Sequence, residues 1–200
     1  LLAVLHPALG GTVEWEALLI GAGMITMLLG ALVGIVQTDL KSILAYTTLS
    51  VLGLLTMLLG TGTDLAIKSA VVFLFGHALY KAALFMTAGS VDHEAHTRDA
   101  TLLGGLRGAM PFTAAAAGLA ALSKGGFPPF FGFLGKEYVY KAGLGLEWLM
   151  PIVLTAGVTA NMLLLALAFK AGIHPYWGKR PRELTAHVHE APWTMVAGPL

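Results

Sequence analysis

Long apolar stretches dominate this chain, and short polar or charged connections separate them. Five stretches are long enough to cross the hydrocarbon layer of a membrane, which is about 30 Å thick and takes about 20 helical residues. They cover residues 17–36, 43–60, 65–91, 111–142 and 148–169. Their apolar residues are continuous rather than alternating, and each stretch is too long for a barrel strand. The pattern therefore predicts membrane-spanning α-helices, with Thr38 or Asp39 as the N-cap of the second.

The fourth stretch is interrupted at residues 123–129, which read SKGGFPP. We predict a helix break at Gly125, Gly126, Pro128 and Pro129, because proline lacks an N–H group and clashes with the preceding turn. A second half-helix then starts at about Pro129. Broken helices recur at the ion sites of transporters, where protein or a water-filled cavity covers the irregular backbone. The alternative is a loop between two short interfacial helices.

Composition agrees with a membrane protein. The 200 residues are 56% hydrophobic and 12% charged, whereas soluble domains carry about 25% charged residues. The net charge of +1 excludes the basic field that nucleic-acid binding requires. The absence of cysteine excludes disulfides, thiolate metal sites and thiol catalysis. We predict an all-α polytopic transmembrane bundle in contact with the lipid bilayer, and we expect the chain to be an internal fragment of a longer membrane protein.

The connections between the stretches differ in positive charge. Residues 37–41, 92–110 and 170–192 contain Lys41, Arg98, Arg107, Lys170, Lys179, Arg180 and Arg182. Residues 61–64 and 143–147 contain neither lysine nor arginine. The positive-inside rule therefore predicts that the first three connections are cytoplasmic. Lys68 and Lys141 lie near the opposite ends of their helices, where long side chains can extend to the membrane surface.

The third stretch contains a histidine and a lysine, His77 and Lys81. A spacing of four residues places both side chains on one face of a helix. A lysine in the middle of a bilayer costs about 2.5–3.5 kcal/mol on insertion scales, so it requires a partner or a task. Burial favours the neutral form of an amine, and histidine titrates near neutral pH, so the pair is suited to relaying protons. The alternative is a histidine that only bonds a neighbouring helix.

Lys136 is the second candidate relay residue, about two turns into the predicted second half-helix. The alternative places Lys136 at the membrane surface, paired with Glu137 or Glu147, although adjacent residues on a helix point about 100° apart and pair poorly. Other polar residues in the apolar stretches are candidate supporting groups or plain helix–helix contacts. These are Glu137, Lys124, Thr47 and Ser50.

Two histidine-containing segments resemble metal sites only weakly. His93, Glu94 and His96 lack the spacing of four that places two zinc ligands on one helical face, and a solvated loop is the simpler interpretation. His187 and His189 with Glu190 form a low-grade signal in a proline-bounded connection. We predict no metal site, no cofactor and no catalytic triad.

Residues 38–50 (TDLKSILAYTTLS), 77–85 (HALYKAALF) and 127–137 (FPPFFGFLGKE) resemble three motifs of the antiporter-like, proton-pumping subunits. These subunits occur in respiratory complex I, membrane hydrogenases and multisubunit cation/proton antiporters. Residues 91–94, 97–99 and 103–106 are similar to the large A subunit of the Mrp-type sodium/proton antiporters. The sequence departs from the family pattern at Gly135, at Phe73, which replaces a second histidine, and at Lys124 and Gly125, which replace more apolar residues.

The resemblance implies a proton relay in which Lys81 and Lys136 lie along a hydrated axis and His77 lies beside Lys81. It implies a fragment of one antiporter-like domain, in a multisubunit sodium/proton antiporter of the plasma membrane. Its partners would be other membrane subunits, and its transported ions protons and sodium. One alternative is a proton-pumping subunit of an NADH-quinone oxidoreductase or membrane hydrogenase. A second is a structural membrane scaffold with inert lysines.

Overall fold

A computed structural model of the protein describes residues 2–10, 12–144, 149–178 and 188–199, which fold mostly into α-helices. In chain order the helices are α1 (Leu2–Leu9), α2 (Val13–Val36), α3 (Leu40–Gly60), α4 (Asp64–Ala95), α5 (Pro111–Gly125), α6 (Phe131–Leu144), α7 (Met150–Gly172) and α8 (Trp193–Val196). Short 3-10 helices cover Leu106–Gly108 and His174–Tyr176. No strand occurs within these ranges, so the all-α prediction is confirmed.

Polar caps set the helix boundaries and move some of them away from the hydropathy limits. Thr12 accepts a hydrogen bond from the Trp15 N–H, so α2 begins four residues before the apolar stretch. Asp39 accepts the Ser42 N–H across 2.8 Å and is the N-cap of α3. Helix α4 continues to Ala95, beyond the predicted limit of 91, and ends where His96 adopts a left-handed conformation with φ of 52°. The charged residues 92–95 are therefore helical rather than part of a loop.

Among the described residues, α2, α3, α4 and the segment Met150–Tyr176 are each long and apolar enough to cross a membrane. Helices α5 and α6 have 15 and 14 residues, about 22 and 21 Å at 1.5 Å per residue. Neither crosses the hydrocarbon layer alone. Together they form one interrupted helix, which confirms the predicted break.

Contacts with α4 show that α5 and α6 run in the same direction. Along α6, Phe131 packs at Gly76 and Gly135 packs at Phe73, and the Tyr138 carbonyl accepts the Ser69 hydroxyl across 2.9 Å. Helix α6 therefore runs antiparallel to the part of α4 that it contacts. Helix α5 packs beside a later part of α4, near Leu84. The interrupted helix as a whole therefore runs antiparallel to α4, with α5 beside the later part of α4 and α6 beside the earlier part.

Small residues allow α2 and α3 to pack closely. A Cβ on Gly23 would lie 2.5 Å from the Met57 nitrogen, and one on Gly30 would lie 2.6 Å from the Ser50 nitrogen. The Ser50 hydroxyl donates to the Met27 carbonyl across 2.7 Å. Close backbone approach and a hydroxyl bond between helices are the usual means of packing in lipid, where burial of apolar surface provides no force between helices.

The three connections predicted to be cytoplasmic meet at one end of the bundle. The Leu40 N–H donates to the Arg98 carbonyl across 2.9 Å, and Lys41 pairs with Asp92 at 2.8 Å. The Lys170 ammonium donates to the Gln37 carbonyl across 2.6 Å. Lys41, Arg98 and Lys170 are therefore gathered on one side, as the positive-inside rule requires of a cytoplasmic face.

Candidate functional site

Lys81 lies in the middle of α4 with only 5% of its surface exposed. Its ammonium donates to the Thr47 hydroxyl across 2.6 Å and to the main-chain carbonyl of Leu44. The ring of Phe85 lies 5.2 Å from the nitrogen. In the described part of the chain no carboxylate is within ion-pair distance of Lys81. Its charge is therefore stabilised by dipoles of α3 and by an aromatic face.

His77 lies one turn before Lys81 and is equally buried. Its Nδ1 is hydrogen bonded to the Tyr80 hydroxyl across 2.9 Å, and the two rings pack edge to face. Its Nε2 is buried and has no hydrogen-bond partner within the part of the chain that the structure describes. Because a buried ring nitrogen that lacks a partner loses its hydration, this atom is a place where a hydrogen-bonded water molecule is favoured.

The helix break follows the glycine and proline pattern of the sequence. Helix α5 ends at Gly125, and Gly126 adopts φ of 80°, a conformation that favours glycine. The Gly126 N–H donates to the Ser123 carbonyl, and the Phe127 N–H donates to the Leu122 carbonyl across 3.2 Å. These bonds close the C-terminus of α5 before the chain passes through a cis Pro128–Pro129 bond. Helix α6 then begins at Phe131.

Lys136 connects the two halves of the interrupted helix. Its ammonium donates to the Gly125 carbonyl across 2.8 Å, one of the carbonyls that a helix end leaves unsatisfied. The negative end of the helix dipole at α5 also favours a cation there. Glu137 pairs instead with Lys141, one turn further on, at 2.7 Å. Glu147, the other proposed partner of Lys136, lies outside the described residues.

A cavity of about 40 Å³ lies between helices α2 to α7. Its polar lining consists of Lys124, Lys136, Tyr80, Tyr140 and Asn161, and the rest of its wall is apolar. At about 10–15 Å³ per enclosed water, it has room for about three water molecules. The cavity is therefore a small, mostly apolar space that Lys124 and Lys136 both reach, whereas His77 and Lys81 do not line it.

The candidate supporting residues occupy different places. Thr47 contacts Lys81, as described above, whereas the hydroxyl of Ser50 bonds α2 and contributes to the α2–α3 contact. Lys124 is 4% exposed and lines the cavity. Glu137 faces Lys141 rather than the cavity lysines. The structure thus brings Thr47 and Lys124 to the site and leaves Ser50 and Glu137 in helix-packing or surface positions.

Three lining residues were missed from the sequence: Tyr80, Tyr140 and Asn161. Asn161 is the one side-chain amide within α7, and the hydroxyl of Tyr140 is hydrogen bonded to it. An amide in an apolar membrane helix is detectable by the argument that singled out Lys81, because polar groups in lipid require partners. The tyrosines carry no such signal, since tyrosine is also common in apolar cores.

The histidines of the charged end serve as contacts between segments. Both oxygens of the Glu94 carboxylate are used, by His93 at 2.8 Å and by His189 at 3.0 Å. Glu190 accepts the Phe112 N–H across 2.8 Å at the start of α5. His187 lies outside the described residues. Within the described ranges no three His, Cys, Asp or Glu side chains are arranged to hold a metal ion.

Comparison with known proteins identifies relatives of the whole chain. It is 41% identical over 204 residues to the A/B subunit of a probable K(+)/H(+) antiporter of Rhizobium meliloti, covering 98% of this chain and 20% of the relative. It is 37% identical over 225 residues to the A subunit of a Na(+)/H(+) antiporter of Alkalihalophilus pseudofirmus, covering 100% of this chain and 28% of the relative. The chain thus spans between a fifth and a third of the length of these relatives.

Two solved structures share the fold. The Mrp complex from Dietzia sp. DQ12-45-1b matches with a TM-score of 0.81 and 34% identity, over 99% of this chain and 22% of that one. A membrane-bound sulfane sulfur reductase, described as an archaeal respiratory membrane complex, matches with a TM-score of 0.84 and 27% identity, over 94% of this chain and 32% of that one. These matches and the membrane-spanning helices establish a multi-pass plasma-membrane protein.

A family model described as NADH:quinone oxidoreductase/Mrp antiporter, transmembrane, matches residues 1–172. This match confirms the resemblance that the three sequence motifs indicated. The chain belongs to the NADH:quinone oxidoreductase/Mrp antiporter transmembrane family, and its similarity to the A subunits of the Mrp-type antiporters extends over its whole length.

Proposed function

We propose that this chain carries protons through the membrane part of a multisubunit monovalent cation/proton antiporter, by way of His77, Lys81 and Lys136. The observation that carries the proposal is the placement of two lysines inside an apolar bundle, Lys81 buried and Lys136 partly buried, with no carboxylate among the described residues in an ion pair with either. Lys81 is bonded by Leu44 and Thr47, and Lys136 by Gly125. Such groups are costly in a membrane and are typical of ion and proton pathways.

The proton steps use the hydrogen-bond partners of each amine. Protonated Lys81 is stabilised by the Leu44 carbonyl and the Thr47 hydroxyl, and after release the neutral amine accepts a proton in return. His77 lies on the same face, with Nδ1 engaged by Tyr80 and Nε2 free to take part in a water-mediated transfer. A membrane potential of 100 mV is worth about 2.3 kcal/mol per charge moved across the whole membrane, enough to bias such a relay.

The helix break couples the relay to a change of access. Protonated Lys136 bonds the last turn of α5, whereas a neutral Lys136 holds the Gly125 carbonyl less strongly because charge-assisted hydrogen bonds are about twice as strong as neutral ones. Gly126 is the adjacent residue whose backbone can adjust, since glycine tolerates both signs of φ. Proton release at Lys136 therefore loosens the junction and opens the path to one side.

The exchanged ion, the partners and the class of activity are inferred from the relatives. Their names specify subunits of Na(+)/H(+) or K(+)/H(+) antiporters, so we assign a monovalent cation, with sodium as the first candidate. The relatives are subunits of larger assemblies, and we assign other membrane subunits as partners of this chain. The role is that of a transporter and not of an enzyme.

A second candidate is the proton-pumping subunit of a redox-driven membrane complex. The fold similarity to an archaeal respiratory membrane complex favours it, because the same buried lysines would suit a pump. Membrane vesicles distinguish the two. An antiporter exchanges sodium for protons without an electron donor, whereas a redox pump moves protons only while a donor is being oxidised.

The relay is tested in everted vesicles that contain the full-length protein in its complex and no other antiporter. Sodium-driven collapse of a pH gradient is measured for Lys81→Ala, Lys136→Ala and the control Lys68→Ala, which alters an exposed lysine of the same α4. We expect the exchange rate of each relay variant to fall about 100-fold, the range for a lost proton-transfer group. The exchange rate of the control should stay within about twofold of the parent. Unchanged exchange in both relay variants would refute the relay and leave the structural scaffold.

A further inference from the structure

Lys124 is, like Lys81, a buried lysine, and among the described residues its ammonium nitrogen has no hydrogen-bond partner. It lies in the last turn of α5, is 4% exposed and lines the cavity that Lys136 also lines. A buried charge without a partner is strongly disfavoured. A lysine kept in this state is therefore one that spends time neutral, with a lone pair available inside the cavity.

The surroundings of Lys124 contain positive or neutral groups only, within the described chain. Lys81 of α4 and Lys136 of α6 are the charged groups whose fields reach it, and its own field reaches His77. The other titratable groups of the cavity are Tyr80 and Tyr140, and α7 contributes the uncharged Asn161. Mutual repulsion therefore opposes simultaneous protonation of the three lysines.

We propose that Lys124 links Lys81 to Lys136 by accepting a proton from one and passing it to the other, with water in the cavity that Lys124 and Lys136 both line serving the exchange between those two. This proposal rests on the proposed function. In the first step an ammonium proton of Lys81 moves to the neutral amine of Lys124, which leaves Lys81 neutral. In the second step Lys124 returns to the neutral form and Lys136 becomes an ammonium. No proton is created or lost, and the cluster carries the same charge throughout.

Geometry separates the role of Lys124 from those of its neighbours. Lys81 and Lys136 each hold main-chain carbonyls when charged, so these two sites retain the proton. Lys124 holds none, so its protonated state is the least stabilised of the three and passes the proton on. It also immediately precedes Gly125, whose carbonyl binds Lys136, so transfer to Lys136 takes place at the helix break itself.

The test compares Lys124→Met, Lys124→Arg and Lys124→His in the full-length protein within its complex, with exchange expressed per assembled complex. Methionine fills similar space but cannot bind a proton. Arginine keeps a permanent charge, and histidine can load and release a proton. We expect the exchange rate of the methionine and arginine variants to fall about 100-fold. We expect the histidine variant to exchange faster than the methionine variant, with its pH profile moved to lower pH.

Three outcomes would overturn the proposal. Exchange by Lys124→Met within about twofold of the parent would show that no proton passes through this residue. Normal exchange by Lys124→Arg would show that Lys124 acts as a fixed positive charge. Exchange by Lys124→His no higher than that of Lys124→Met would show that the amine of Lys124 has a purely structural role. Lys81→Ala and Lys136→Ala are measured in parallel. If Lys81→Ala and Lys136→Ala lose exchange while Lys124→Met keeps it, only the inference about Lys124 fails. If all three variants keep exchange, the proposed function itself is refuted.

Discussion

The ammonium of Lys136 donates to the main-chain carbonyl of Gly125 across 2.8 Å, so a side chain of α6 binds the open end of α5. The two residues stand on opposite sides of the Pro128–Pro129 bond. One group therefore serves both the integrity of the broken helix and, in the proposed function, the movement of protons. Substitutions at this position can separate the two roles.

Lys136→Arg is expected to preserve the helix junction and abolish exchange. Arginine still donates to the Gly125 carbonyl, but it remains charged at all accessible pH values and cannot release a proton. Lys136→Met is expected to lose both properties, since it has no donor. Thermal unfolding of the purified full-length complex and vesicle exchange are the two measurements. We expect an unfolding temperature near the parent value for arginine and a lower one for methionine. Normal exchange by the arginine variant would contradict a proton-releasing role.

Thr47→Val and Ser50→Ala form a matched pair on α3. Valine removes the hydroxyl that accepts from Lys81 while keeping the shape of threonine, so we expect exchange to fall by about tenfold, the effect of about 1.4 kcal/mol. Ser50→Ala removes the bond to Met27 on α2, so we expect about 0.6 kcal/mol less stability and unchanged exchange. Vesicle exchange and detergent unfolding are measured on both. Equal exchange in the two variants would show that Thr47 has no special relation to Lys81.

Gly132→Ala is expected to disrupt the helix break. A Cβ at this position would overlap the Ser123 carbonyl oxygen of α5, and the obstacle is backbone that cannot rotate away. Overpacking of this kind typically costs about 1–3 kcal/mol. Gly118→Ala is the control, because nothing lies within 4 Å of its Cβ position and alanine favours the helix by about 1 kcal/mol.

Assembly level and unfolding temperature are the measurements for this pair. We expect Gly132→Ala to lower both the assembly level and the unfolding temperature. Gly118→Ala should match or exceed the parent in both. A Gly132→Ala protein as stable as the parent would mean that α5 and α6 separate without penalty.

Asp92→Asn is expected to leave exchange intact. The carboxylate pairs with Lys41 at 2.8 Å, but the two side chains are 34% and 40% exposed. Ion pairs of this exposure contribute about 0–1 kcal/mol and weaken with salt. We therefore expect a small loss of stability at low ionic strength that disappears at high ionic strength. A large loss of exchange in assembled complexes would contradict this expectation and show that the charged end of the bundle takes part in proton transfer.

The sequence by itself determined the helical membrane architecture, because its signals are local. Continuous apolar runs specify helices in lipid, since each backbone polar group must be satisfied within its own segment. The glycines and prolines of residues 123–129 specify the break for equally local reasons. The spacing of His77 and Lys81 placed them on one face without knowledge of any other helix. The motifs then indicated the family to which the comparisons assign the chain.

Tertiary structure decided the partners of each buried group, because these lie far apart along the chain. Lys81 meets Leu44 and Thr47 on another helix, and Lys136 reaches back across the break to Gly125. Only helix packing brings Asn161 to the cavity and leaves Lys124 there with no hydrogen-bond partner among the described residues. Hydropathy and spacing report which residues are buried. They cannot report which neighbours remain to satisfy a buried charge, since that depends on the rotation and approach of the surrounding helices.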